Sequence, residues 1–298
     1  ASTDLAGQIT AQAARDTGLP EGTPVFCGCG DGTAASVGTG ISKVGQAYMC
    51  LGTSAWISYL DDAPLLDPQQ RTFNLAGIAK GLYYPIGTMQ AAGASYNWMR
   101  DQLCQREAAE AKAKDGSVYD EINRQIAQVP PGANGVLFLP YLMGERTPWW
   151  DAQAKGAFLG LGPESTHSEI LRAVMEGVGY SLTDCQDILR DMGIVVQEMM
   201  ACGGGGRSQL WRQMLADMYN CEVKTVSSKE GPALGAAILA GVGAGLFKSV
   251  VTACRDFIDT NTYCQPDPTA HAYYEKGHAL YQKLYRQLAG CYQDLATL

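Results

Sequence analysis

Four consecutive glycines, Gly203 to Gly206, lie between an apolar run that ends at Cys202 and a stretch in which Ser208 is followed by Leu210, Trp211, Met214, Leu215 and Met218 at helical spacing. The apolar run, Ile194 to Cys202, reads as a strand, and Ser208 reads as the cap of a helix. Strand, bare backbone and helix in that order leave unpaired N–H groups pointing where an anion can sit. The same glycines would also serve close packing of a strand on a helix, and ligand binding is the stronger of the two readings. The bridge is not a Walker A loop, because no Gly-Lys-Ser/Thr follows, and it does not fit G-x-G-x-x-G.

The remaining chain repeats this alternation. Thr23 to Cys29 reads as a short strand that runs into Gly28, Gly30, Asp31 and Gly32, so an acidic residue is expected at a strand end. Gln46 to Leu51 and Ala55 to Leu60 read as a hairpin with the polar tip Gly52-Thr53-Ser54. Helices are predicted over Leu5 to Thr17, Met89 to Cys104 and Val118 to Gln128, with the charged segment Arg106 to Asp115 as a solvated loop or helix end. Gly135 to Leu142 reads as a strand feeding the loop Gly144 to Asp151. Thr166 and Ser168 can cap the helix after them. Val223 to Val226 reads as a strand, Ala233 to Ala240 as a small-residue helix able to lie very close to its neighbours, and Ala270 to Leu295 as a long amphipathic helix. Strands alternating with helices point to an α/β layered domain.

The formal net charge of −8 and the lack of any basic run exclude a nucleic-acid or anionic-membrane surface, which would need a positive footprint. A small molecule is the expected partner. If it carries phosphates, backbone N–H groups, helix N-termini and a metal ion must attract it locally. The ten cysteines are scattered, and only Cys27 and Cys29 are close, in a C-x-C that fits no zinc spacing; free thiols in a reducing cytoplasm are expected. The longest apolar stretch, Pro232 to Phe247, falls short of the ~20 residues of a spanning helix. Ala1 is not an initiator methionine, and the beginning of the protein is expected to have been cut away.

Phosphoryl transfer to a sugar hydroxyl needs a base, donors around the phosphates, a metal and a nucleoside pocket. The three histidines, His167, His271 and His278, lie away from every glycine-rich loop, so the base would be a carboxylate. Asp31, among glycines that allow close approach, is the strongest candidate. Its plain alternative is an Asp-Gly turn. The Gly52-Thr53-Ser54 tip offers N–H groups and hydroxyls to phosphates, or is an ordinary turn. Glu145, Arg146 and Asp151 could reach a phosphate or metal but read as solvated loop charges, and Trp149, Trp150 and Trp211 as packing residues.

Together these segments resemble the FGGY family of carbohydrate kinases along essentially the entire chain. Gly156 to Leu161, then seven residues, then Glu169 to Glu176 fits the second family signature. Pro140 to Pro148 with Asp151 to Gly156, and Gly203 to Asp217 with Gly231 to Ala237, look most like the xylulokinases within it. The resemblance implies an actin-like, ribonuclease-H-type α/β fold with a mixed sheet flanked by helices. It also implies ATP and magnesium as cosubstrates and a cytoplasmic enzyme that phosphorylates a ketopentose, D-xylulose to D-xylulose 5-phosphate, with another ketose, a polyol or gluconate as alternative acceptor. A non-catalytic ATP-binding module on the same scaffold is the remaining alternative. Asp31 falls on the family's catalytic aspartate, with Gly32 beside the substrate. Gly52 and Thr53 fall on the phosphate-contacting turn, Gly156 on a nucleotide contact, and Gly204, Gly205 and Ser208 on the adenosine loop. Gly32 stands where xylulokinases usually have asparagine, and Ala55 where a glycine commonly closes the turn; neither change removes a reactive group. The family opens with an Asp-x-Gly-Thr loop that this sequence lacks. Residues 1–30 are therefore expected to lead in from a missing first domain and 31–298 to form the nucleotide-binding domain, inactive alone. Oligomeric state, including a homodimer, is left open.

Overall fold

The computed structural model describes residues 1–227 and 231–298. Its centre is a seven-stranded mixed sheet, in the order β11-β10-β9-β3-β4-β6-β5. The strands are β3 (Ala47–Leu51), β4 (Ala55–Tyr59), β5 (Phe73–Ala76), β6 (Tyr83–Met89), β9 (Glu198–Cys202), β10 (Glu222–Val226) and β11 (Thr260–Cys264). β3, β9 and β10 run parallel, and every other neighbouring pair is antiparallel. The parallel step from β9 to β10 is made through helix α7 (Gln209–Tyr219), the crossover that parallel strands require.

Side chains alternate across the sheet, and each face has its own cover. Along β3, Ala47, Met49 and Leu51 join the main core under α6 (His167–Asp191), α7 and the long C-terminal helix α10 (Pro268–Leu295). Tyr48 points the other way, into a smaller cluster with Ile41, Leu60, Tyr84 and Met200. On that second face helices α2 (Asp31–Gly38) and α8 (Gly231–Gly243) lie together, backed by α9 (Val250–Phe257). Helices α3 (Gly93–Leu103), α4 (Gln105–Ala113) and α5 (Val118–Ile126) extend the first layer, and the short strands β7 (Leu137–Leu139) and β8 (Ala157–Leu159) pair antiparallel against α6. A separate antiparallel pair, β1 (Leu5–Gln8) and β2 (Pro24–Phe26), brackets helix α1 (Ala11–Thr17). No described helix is long and apolar enough to cross a membrane.

Several expectations need correction. Leu5 to Gln8 is a strand paired with Pro24 to Phe26, and only Ala11–Thr17 is helical, capped by Thr10 and ended by Gly18 at φ 77°. The charged Arg106 to Asp115 segment is mostly helix α4, whose Glu107 and Ala111 are buried. Met89 closes β6 rather than opening a helix. Asp31 does not end a strand: β2 stops at Phe26, and Asp31 is the first residue of α2.

Candidate nucleotide and acceptor site

The hairpin β3–β4 pairs Leu51 with Ala55, so Gly52, Thr53 and Ser54 form its tip. The tip sits on the start of α3. The Gly93 N–H donates to the Gly52 carbonyl at 2.9 Å, and those of Ala92 and Ala94 donate to the Thr53 carbonyl at 3.1 and 3.0 Å. A Cβ on Gly93 would stand 2.5 Å from the Gly52 oxygen, so glycine is required for this seat. The tip is thus held rigidly from one side, with the Thr53 side chain exposed on the other.

The glycine bridge divides into two kinds of residue. Gly203, at φ 81°, lies against the Leu51 backbone, and a Cβ on Gly205 would meet both Leu51 and the Trp211 ring at 2.9 Å. Those two positions serve close packing. A Cβ on Gly204 would meet nothing within 4 Å among the described residues, so this residue faces the cavities. After a short turn, Ser208 caps α7, its Oγ accepting from the Trp211 N–H at 3.2 Å and from Asn123 Nδ2 at 3.4 Å. Asn123 Oδ1 in turn accepts from the Tyr96 hydroxyl at 3.2 Å.

Two cavities open here. The larger, about 590 Å³, is walled by Tyr96, Tyr119 and Trp211, with Gly52, Thr53, Gly204, Gly205 and Ser208 around its edge. The Tyr96 ring lies 5.6 Å from those of Tyr119 and Trp211. The smaller, about 300 Å³, contains Asp31 with Cys50, Cys202, Gly203, Ser227 and Gly231 on its walls. Gly204 and Arg207 line both, so the two spaces meet at the glycine bridge. Asp31 is exposed into the second space, and its Oδ1 accepts from the Gly32 N–H at 2.8 Å. The Gly32 carbonyl is fixed from behind by the Tyr48 hydroxyl at 2.9 Å. Asp31 sits in the first turn of α2, where the helix dipole favours a negative charge.

The structure therefore gathers Gly52, Thr53, Gly204, Gly205 and Ser208 around one space and sets Asp31 and Gly32 at the adjoining one. Gly156 is apart from them. It precedes β8, packed against Leu142 and the Leu139 carbonyl, and lines neither cavity. Arg207, Tyr96 and Asn123 were not singled out in the sequence. Arg207 had a usable signal, since it directly follows the glycines.

Of the loop charges, Arg146 is exposed as expected, whereas Glu145 and Asp151 are not freely solvated. Glu145 is only 3% exposed. Its Oε1 accepts from the N–H groups of Gln90 and Arg146 at 2.9 and 2.8 Å, and its Oε2 from Ser181 at 3.1 Å. Burial outweighs those bonds and raises its carboxyl to about 7. Asp151 is held by the Tyr285 hydroxyl at 2.9 Å, and Trp149 stacks on Tyr285 with centroids 4.0 Å apart. These residues fix the loop on α6 and α10.

The sequence matches the C-terminal domain of the FGGY family of carbohydrate kinases over residues 47–244. The chain belongs to the FGGY family. It is 34% identical to a xylulose kinase of Staphylococcus epidermidis over 294 residues, covering 98% of this chain and 57% of that protein. A gluconokinase of Bacillus licheniformis is 32% identical over 287 residues, with 94% of this chain and 54% of that protein covered. Among solved structures, a ligand-bound xylulose kinase from Lactobacillus acidophilus superposes with a TM-score of 0.88 at 27% identity, covering 99% of this chain and 58% of the other. This FGGY chain thus spans a little over half the length of the relatives it matches, and its mixed sheet between helical layers is the actin-like ATPase fold of these sugar kinases.

Proposed function

We propose that this chain forms the nucleotide-binding part of an ATP-dependent sugar kinase that converts D-xylulose to D-xylulose 5-phosphate. The observation that carries the proposal is the shared wall at Gly204. A nucleoside lying against the Tyr96, Tyr119 and Trp211 wall would lay its phosphates across bare backbone toward the space that contains Asp31. The Thr53 tip lies beside that path, and Arg207 supplies a positive charge along it.

In the proposed step a primary hydroxyl of the acceptor attacks the γ-phosphorus in line, ADP departs, and the hydroxyl proton passes to the Asp31 carboxylate. Residues 31–298 would then be the nucleotide domain with its base, and residues 1–30 the lead-in to it. Magnesium fits the donor set: among the described lining residues carboxylates are few, Asp31 in one cavity and Asp120 in the other. An ion held by one carboxylate, phosphate oxygens and water is ordinary for magnesium, and it would neutralise the phosphates. The ten free thiols suit a cytoplasmic enzyme.

The similarity to a gluconokinase favours a second acceptor on the same machinery. Gly32 sits beside the base, and among the described residues only Leu75 comes within 4.0 Å of a Cβ built there, which leaves room for a different sugar. ADP release by the complete enzyme with D-xylulose, D-ribulose, gluconate and glycerol separates these readings. Asp31→Asn in that enzyme should lower kcat by roughly 10²–10⁴-fold, the usual worth of a positioned base, with nucleotide affinity nearly unchanged. An active Asn variant would remove Asp31 from the mechanism.

A further inference from the structure

Away from both cavities, Cys104, Glu107 and His167 turn one ligand atom each toward a common point, all three atoms lying within 4.8 Å of one another. We propose that these residues bind a zinc-type divalent ion, a structural site separate from any metal that accompanies a nucleotide.

The three donors come from different places in the chain. Cys104 is the hinge residue between α3 and α4, Glu107 lies in the first turn of α4, and His167 is the first residue of α6. Cys104 is fully buried and the Glu107 side chain is 1% exposed, while His167 is 39% exposed and open to solvent. The Glu107 Oε1 and His167 Nε2 atoms are 3.4 Å apart, long for a hydrogen bond. That spacing is the edge expected of a tetrahedron built on Zn–O and Zn–N bonds of about 2.0–2.1 Å. The Cys104 sulfur lies within 4.8 Å of both atoms, so a small adjustment of the three side chains on binding would close the site around an ion.

The local charge is compatible with an ion: among the described residues the arginine nearest the buried Glu107 carboxylate, Arg106 at 3.2 Å, is 69% exposed. A divalent ion would supply positive charge from inside. The Gln125 amide donates to Glu107 Oε1 at 2.8 Å, the kind of outer contact that fixes a ligand's orientation. Thiolate and imidazole donors select zinc, cobalt or cadmium over magnesium and calcium. Three protein ligands leave a fourth position for water on the His167 side. Such an ion would tie the α3–α4 junction and, through Gln125, helix α5 to the start of α6; α3 and α5 carry the Tyr96 and Asn123 wall of the larger cavity.

The probe is Co²⁺ added to the 298-residue chain in which Cys27→Ser and Cys29→Ser remove the exposed C-x-C. One equivalent should produce a near-ultraviolet thiolate-to-cobalt charge-transfer band with visible bands of tetrahedral intensity, and zinc should displace them. Cys104→Ser should abolish the charge-transfer band. His167→Ala, at an exposed helix start where folding is not at stake, should weaken cobalt binding at least tenfold. Zinc should raise the thermal midpoint of the parent and leave that of His167→Ala unchanged. A parent without the charge-transfer band, or a band that persists undiminished in both variants, overturns the site. Neither result bears on the kinase reading, which stands or falls on Asp31.

Discussion

Gly38 and Gly231 meet through backbone alone: a Cβ on Gly38 would lie 1.8 Å from the Gly231 carbonyl oxygen. One turn along α8 the relation is reversed, and a Cβ on Gly235 would lie 1.9 Å from the Ala34 carbonyl oxygen. The α2–α8 crossing therefore has no room for a methyl group at either contact. Because Asp31 begins α2 and Gly231 begins α8, the same crossing sets the distance between two walls of the Asp31 cavity.

Gly38→Ala should force α2 and α8 apart and cost roughly 1–3 kcal/mol, the usual range for overpacking. Gly290→Ala, in the exposed part of α10 where a Cβ meets nothing, should instead stabilise by up to about 1 kcal/mol through helix propensity. Urea unfolding of both variants checks the contrast. Equal effects would mean that the close crossing is not a constraint.

Gly204→Val and Gly205→Val should fail in different ways. Valine at Gly204 enters open space shared by the two cavities, so the protein should fold normally while ATP affinity in the complete enzyme falls by tenfold or more, about 1.4 kcal/mol. Valine at Gly205 runs into Leu51 and Trp211 and should destabilise the fold itself. Calorimetric titration with ATP, beside thermal unfolding, separates the two. Unchanged nucleotide affinity in the folded Gly204 variant would move the nucleotide elsewhere.

Arg172 and Glu176 form a buried pair on α6, Nε to Oε1 at 2.6 Å, closed by Tyr274, which accepts from Arg172 and donates to Glu176. Arg172→Met leaves the carboxylate buried without its counter-charge and should cost on the order of 3–5 kcal/mol. Replacing both partners, Arg172→Met with Glu176→Leu, should recover most of that loss. Denaturation of the two single variants and the double variant decides it, and a double variant no better than Arg172→Met would contradict the pairing.

The elements legible in the sequence were those whose pattern is self-contained. The hairpin at Gly52-Thr53-Ser54 follows from two apolar runs with a polar break, the start of α6 from Thr166, one of the two caps read there, and the α7 cap from Ser208. Helix α2 was not legible. Its residues Asp31 to Gly38 are small and carry no apolar stripe, and their smallness matters only because α8 lies against them. Strand β1 was hidden for a related reason, since Leu5 to Gln8 becomes a strand by pairing with Pro24 to Phe26 far along the chain. Helix α4 looked like loop because its charges mask the two positions, Glu107 and Ala111, that it buries. In the candidate site, the grouping of Thr53 with Gly204 and Ser208 comes from the parallel pairing of β3 with β9, which no local pattern encodes. Glu145 looked solvated because residue type was the only guide to its burial.

That buried Glu145 gives stability a pH dependence with a definite sign. Its folded-state carboxyl titrates near 7, against an ordinary value of 4.5, so between those values the folded protein holds a proton that the unfolded chain has released. Stability therefore falls as pH rises from about 4.5 to about 7, and above that range the full cost of a buried charge is present. The span corresponds to on the order of 3 kcal/mol at most. Glu145→Gln keeps an acceptor for the Gln90 and Arg146 N–H groups and cannot ionise, so it should lack this component. Other carboxylates titrate in the same window in both proteins and cancel in the comparison. Urea denaturation at pH 5 and pH 8 should show the variant gaining on the parent at the higher pH, and parallel pH profiles would mean that Glu145 is charged in the folded protein throughout.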